Sequence, residues 1–151
     1  MEYIENSKED GCVFCSAQEK VDGAENLIAL RGEHAYVILN RYPYTSGHIM
    51  VVPLDHKPNL EELDSETRAE MMELTARGMT ILRKIYHPEA FNMGANIGEA
   101  AGAGIKEHFH IHIVPRWAGD TNFMSTVGET RVLPEALEST YARVKNGFLE
   151  G

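Results

Sequence analysis

His108-Phe109-His110-Ile111-His112-Ile113-Val114 is the stretch that decides how this chain is read. On a strand, side chains alternate faces, and residues two apart stand about 6.6 Å from each other on one side. The three histidines therefore share a face. Phe109, Ile111 and Ile113 share the other, which must be the core face. Three imidazoles in a row would partly protonate and repel near neutral pH unless an anion or a metal lies among them. Two chemistries fit. Imidazole is a common ligand for divalent metals. It is also a nucleophile at phosphorus, giving a phosphoramidate that divides one hard displacement into two easier ones. The flanking histidines would then neutralise charge on the phosphoryl oxygens.

The residues just upstream help to choose. Gly98-Glu99-Ala100-Ala101-Gly102-Ala103-Gly104 is a loop of small residues leading into the histidines. Glycines let backbone N–H groups approach an anion closely. A glycine loop feeding cofacial histidines favours phosphate over a bare metal site. No carboxylate completes a local ligand set around the three histidines, which speaks against a metal-dependent hydrolase.

Further out, the pattern is mostly strands. Asn26–Arg31 and Ala35–Asn40 are rich in Leu, Ile and Val and form a hairpin across Gly32-Glu33-His34. Gly47–Pro53 is a third strand closed by Pro53. Phe91–Asn96 is a fourth, and Glu107–Val114, ended by Pro115, is the histidine strand. Ser65 reads as the N-cap of the clearest helix, with Arg68 where a capping-box carboxylate would stand. Met71, Leu74, Gly78, Ile81, Leu82 and Ile85 keep helical spacing up to the stop at Pro88. A last helix spans roughly Pro134–Lys145. These elements predict an α+β fold: an antiparallel sheet of about five strands, with a long helix on one face and a C-terminal helix.

The 151 residues predict a single domain, 1–151, whose first 25 or so residues wrap the body. The N-terminus is polar and acidic and lacks the basic and apolar regions of a signal peptide, so the expected location is the cytoplasm. No stretch approaches a membrane span. The net charge of −9 disfavours nucleic acids and anionic membranes as partners, without forbidding a small phosphate ligand. The two cysteines, Cys12 and Cys15, form a CxxC, which suggests metal or redox chemistry more than a structural disulfide. No strand–helix thioredoxin pattern surrounds it. No organic cofactor is expected.

The sequence HFHIHIV resembles the signature of the histidine triad superfamily. Asn40 with Pro43 and Gly47-His48 is similar to that family's Asn…Pro…Gly-His segment, and Asn96-Ile97-Gly98 with Ala101-Gly102 to its Asn-x-Gly…Ala-Gly loop. The likeness runs from about Cys12 to Pro134. The continuation Pro115-Arg116-Trp117-Ala118-Gly119-Asp120-Thr121-Asn122-Phe123, with Glu107 beside the triad, resembles the diadenosine tetraphosphate phosphorylase branch.

The resemblance implies a nucleotidyl hydrolase or transferase that cleaves dinucleoside polyphosphates through a covalent AMP–histidine intermediate. In that branch phosphate is the acceptor. A water-using dinucleoside polyphosphate or phosphoramidate hydrolase is the alternative, and so is a nucleotide-binding regulatory protein with little turnover. His110 would attack the α-phosphate, with His108 and His112 flanking it and His48 supporting the site. Asn40 would bind ribose, and Asn96 and the backbone of Gly104 would contact phosphate. Many triad proteins carry a Gln and a hydroxyl residue before the histidines. Here Gly104-Ile105-Lys106-Glu107 has neither, so Gly104 offers only its N–H.

The resemblance also implies a structural zinc site of Cys12, Cys15, His56 and His108, a sound Cys₂His₂ set. Zinc at His108 would make that residue a brace for the strand carrying His110. Trp117 reads either as a packing anchor or as a ring stacking on adenine. In the phosphorylase branch the equivalent ring can reach a neighbouring subunit's site, so a homodimer or larger homo-oligomer is expected.

Overall fold

Runs of Val, Ile and Leu between turns build the sheet. β1 (Ile28–Arg31), β2 (Ala35–Leu39) and β3 (Ile49–Pro53) are antiparallel neighbours, and β4 (Ala90–Gly94) and β5 (Ile111–Arg116) complete it. The order is β1-β2-β3-β5-β4, all antiparallel. Around it lie α1 (Val13–Glu19), the long α2 (Ser65–Tyr86) and the C-terminal α3 (Leu137–Glu150). This is the expected α+β architecture. The structure is a computed structural model that describes residues 11–120 and 135–151. The first ten residues of the expected N-terminal wrap lie outside the described residues, as do Pro134 and the Thr121-Asn122-Phe123 segment.

Two glycines set how closely the layers approach. A Cβ on Gly78 of α2 would fall 2.8 Å from Ile49 Cδ1 of β3, so Ile49 and Val51 face the helix. A Cβ on Gly147 of α3 would fall 2.5 Å from Ile81 Cγ2 of α2. Met50 therefore points to the opposite face of the sheet from Ile49. Its register partners are Ile38 on β2 and His112 on β5. That second face is covered in part by α1, whose Phe14 and Ala17 are buried.

Several boundaries differ from the expected ones. Asp64, not Ser65, caps α2: its carboxylate accepts the Thr67 N–H at 2.8 Å, and Ser65 is the first helical residue. Arg68 does not serve as a capping partner but donates to the Leu63 carbonyl. α3 starts later than Pro134 and runs past Lys145 to Glu150, because Gly147 packs tightly against α2 and does not terminate the helix. β5 starts at Ile111 and passes through Pro115 to Arg116. Pro115 is tolerated because its carbonyl side faces the region before β3, where Thr45 Oγ1 donates to it at 2.7 Å. Its missing N–H therefore costs no ladder bond.

Candidate active site

His108 and His110 precede β5, and His112 is its second residue. The Phe109 N–H donates to the Lys57 carbonyl at 2.7 Å, tying this segment to the loop after β3. The shared face expected for the histidines is divided by α1, and they serve two clusters.

The first cluster lies in a cleft of about 640 Å³ on the Met50 face. Phe14, Ala17, Leu27, Ile38 and Met50 give it apolar walls. Asn40, Asn96, Gly104, His110 and His112 all line it. Lys20 and Arg41 are the cations among its lining residues and Glu25 the one carboxylate, in a chain of net charge −9. The cleft thus carries locally the sign that an anion requires.

Hydrogen bonds assign the tautomers here. His110 Nδ1 lies 2.9 Å from the His108 carbonyl. A carbonyl only accepts, so Nδ1 carries the proton and Nε2 keeps the lone pair. Burial lowers the His110 pKa, which keeps that lone pair free at neutral pH. The Tyr44 N–H donates to His48 Nδ1 at 3.2 Å, so the His48 proton sits on Nε2. His48 Nε2 lies 3.0 Å from His112 Nδ1, which therefore accepts, and the His112 proton is on Nε2. Burial takes the His112 pKa down to about 4. His48 is 1% exposed and stands behind His112. It is not part of the cleft wall, but it touches three residues that are: His112, Asn40, whose Nδ2 lies 3.4 Å from His48 Nε2, and Tyr44, whose ring stacks on it at 5.3 Å. Asn40 is fixed by its Oδ1, which accepts the Tyr42 N–H at 2.8 Å.

Gly98 and Gly102 adopt φ of 86° and 93°, the left-handed region that glycine enters without strain. Their loop spends several donors on itself: the N–H groups of Ala101, Gly102 and Ala103 bond within it. The Gly104 N–H is not used in that turn.

The second cluster is Cys12, Cys15, His56 and His108. Their ligand atoms all lie within 4.8 Å of one another. Cys12 Sγ is 3.4 Å from His108 Nδ1, Cys15 Sγ is 3.3 Å from His56 Nδ1, and the two Nδ1 atoms are 3.2 Å apart. The edges of a tetrahedron around a metal with these ligands are ~3.3 Å for N···N and ~3.6 Å for N···S. His108 Nε2 is 2.8 Å from the Pro53 carbonyl and must donate to it, so the Nδ1 lone pair points into the cluster. These residues fit a metal ion. His108 is fully buried and does not line the cleft. Its side chain meets the other three residues of this cluster, while His110 and His112 line the cleft.

Trp117 is half-buried beyond the end of β5, its backbone N–H bonded to Asp120 Oδ2 at 3.1 Å, and it does not line the cleft of its own chain. Sequence reasoning missed Phe14. An apolar residue inside a CxxC gives no sign that its ring touches His108 and His110, at 5.4 and 4.8 Å between centroids.

The HIT domain model matches residues 23–119. The chain belongs to the HIT family. This HIT protein is 41% identical over 116 residues to the AP-4-A phosphorylase of Mycobacterium tuberculosis, covering 77% of this chain and 60% of that one. It thus spans about three fifths of the length of that curated relative. Its fold matches a zinc-bound histidine triad family protein from Mycobacterium smegmatis with a TM-score of 0.74 at 27% identity, covering 94% and 96% of the two chains. A hypothetical histidine triad nucleotide-binding protein from Sulfolobus tokodaii matches equally, with a TM-score of 0.74, 27% identity and coverage of 92% and 93%. Among the described residues, no helix of the HIT protein is long and apolar enough to cross a membrane.

Proposed function

We propose that this chain is an enzyme that cleaves dinucleoside polyphosphates by way of a covalent nucleotidyl–His110 intermediate, with inorganic phosphate as acceptor. One observation carries the reading: the bond from His110 Nδ1 to the His108 carbonyl leaves Nε2 unprotonated on the wall of a cleft of about 640 Å³ that also carries Lys20 and Arg41. The identity to a protein named AP-4-A phosphorylase supports the substrate class. In the first step Nε2 forms a bond to the α-phosphorus and the bond to the bridging oxygen breaks, releasing the polyphosphate-bearing nucleotide. The Nε2–H of His112 donates to a phosphoryl oxygen as charge builds there. Asn40 holds the ribose, and Asn96 and the Gly104 N–H hold phosphate. In the second step a phosphate oxygen attacks phosphorus and His110 is regenerated.

The test is incubation with diadenosine tetraphosphate, with and without phosphate. ADP plus ATP formed only with phosphate is the expected result. AMP released without phosphate makes water the acceptor and supports the hydrolase reading. Absence of turnover, or full activity in His110→Ala, sinks the mechanism.

The cluster of Cys12, Cys15, His56 and His108 is proposed to hold a structural zinc ion. Its two-thiol, two-imidazole donor set and tetrahedral spacing support zinc. Bound there, the ion clips α1, the loop after β3 and the segment before β5 to one another. A homodimer is proposed too, on the exposed outer edge of β4, where Ala90, Asn92, Met93 and Gly94 are uncovered. In such an assembly Trp117 would serve the partner's cleft, not its own.

A further inference from the structure

Among the described residues, the His110 ring meets the His108 carbonyl at 2.9 Å and the rings of His112 and Phe14, each 4.8 Å away between centroids. One of these, His108, belongs to the thiol–imidazole cluster, and another, Phe14, stands in sequence between its two cysteines. His108 supplies a ligand nitrogen from its side chain and the anchoring carbonyl from its backbone. Phe14 stands between Cys12 and Cys15 and is 1% exposed.

α1 carries Phe14 and is seven residues long, far too short to hold its shape by helix propensity. Its tethers decide its orientation. The Tyr36 hydroxyl donates to the Phe14 carbonyl at 2.8 Å, and the Asn26 amide donates to the Ala17 carbonyl at 3.0 Å. The Tyr36 bond gives residue 14 a pivot. The cysteines flank that pivot in sequence, and both lie in the thiol–imidazole cluster.

We propose that Phe14 is a positioning residue that passes the state of the Cys12, Cys15, His56 and His108 cluster to the ring of His110. The inference rests on His110 being the nucleophile. With both sulfurs held, the Phe14 ring closes one side of His110 and fixes its plane. With the sulfurs released, the His110 ring is free to turn about its remaining bond, and Nε2 leaves the line of attack. A displacement near 1 Å costs on the order of 100-fold in rate.

The test compares zinc-loaded wild type, wild type stripped with a chelator, and zinc-loaded Phe14→Leu, which keeps an apolar side chain. The His110 ring is followed by NMR with ¹⁵N-labelled histidine, beside kcat, KM and zinc content. Phe14→Leu is expected to keep its zinc, to shift and broaden the His110 ring signals, and to lower kcat about 10-fold with KM within about two-fold. Chelation should change the same signals in wild type and add little in Phe14→Leu. If stripping unfolds the protein, the loaded Phe14→Leu variant decides alone. Unchanged His110 signals in that variant overturn the proposal. So does an effect confined to KM, which would make Phe14 no more than a wall of the nucleotide slot. A protein with no turnover whose His110 signals respond as stated refutes the enzymatic reading and leaves the coupling standing.

Discussion

His110 Nδ1 lies 2.9 Å from the backbone carbonyl oxygen of His108. The contact chooses which ring nitrogen faces the cleft, and it does so with a group that cannot change protonation state. His110→Ala is therefore expected to lower turnover of diadenosine tetraphosphate by at least about 10³-fold while the fold persists. Acid-quenched reactions with labelled substrate should show protein-bound nucleotide in wild type and none in the variant.

Cys12→Ser should abolish stoichiometric metal binding, because a hydroxyl is a poor replacement for a thiolate at a zinc site. The melting temperature should fall by roughly 10 °C, as the clip joining α1 to the sheet is lost. Elemental analysis and thermal unfolding of the two purified proteins check this. Equal zinc in both would count against the site.

Asn40→Ala should raise KM for diadenosine tetraphosphate about 10-fold, the loss of one good hydrogen bond to the ribose. The 2′-deoxy analogue separates this from simple loosening of the loop. Wild type should discriminate against it, and the variant should treat both substrates nearly alike.

Burial holds the His112 pKa at about 4, below the ordinary value near 6.5. The folded chain then binds fewer protons here than the unfolded chain between these two values. Stability falls as pH drops from about 6.5 towards 4, and this contribution is flat above that window. In His112→Asn, which cannot titrate, the urea midpoint should fall less between pH 7 and pH 5 than in wild type. Equal slopes would remove His112 as a source.

Gly147→Ala and Gly78→Ala should differ in cost. The new Cβ at 147 meets Cγ2 of Ile81, close to the stiff branch point of that side chain, at 2.5 Å. At 78 it meets the mobile end of Ile49 at 2.8 Å. Alanine gains about 1 kcal/mol of helix propensity at either position, against an overpacking cost of about 1–3 kcal/mol. Gly147→Ala should be clearly destabilising and Gly78→Ala close to neutral by urea titration.

The sequence was most legible where a pattern repeats. Alternation put the histidines opposite Ile111 and Ile113, both buried, and helical spacing from Met71 to Leu82 located α2. It was least legible at boundaries, where single contacts decide. Asp64 outcompetes Ser65 as the cap because its carboxylate reaches the Thr67 N–H. Gly147 lies inside a helix because a neighbouring helix needs the space. The division of the triad into two clusters could not be read from alternation. It is created by α1 lying across that face, a contact between residues some 95 positions apart in sequence, such as Cys12 and His108. Only the family likeness had joined those two residues beforehand.

The chain of protons behind His112 begins at a main-chain amide, the N–H of Tyr44. Every residue type except proline supplies that group. Position 44 can therefore drift through most of the amino-acid alphabet without reversing the direction of the chain, while Tyr44→Pro would remove its first donor at a stroke. The polarity of the site is written into the course of the backbone, where ordinary substitution cannot reach it.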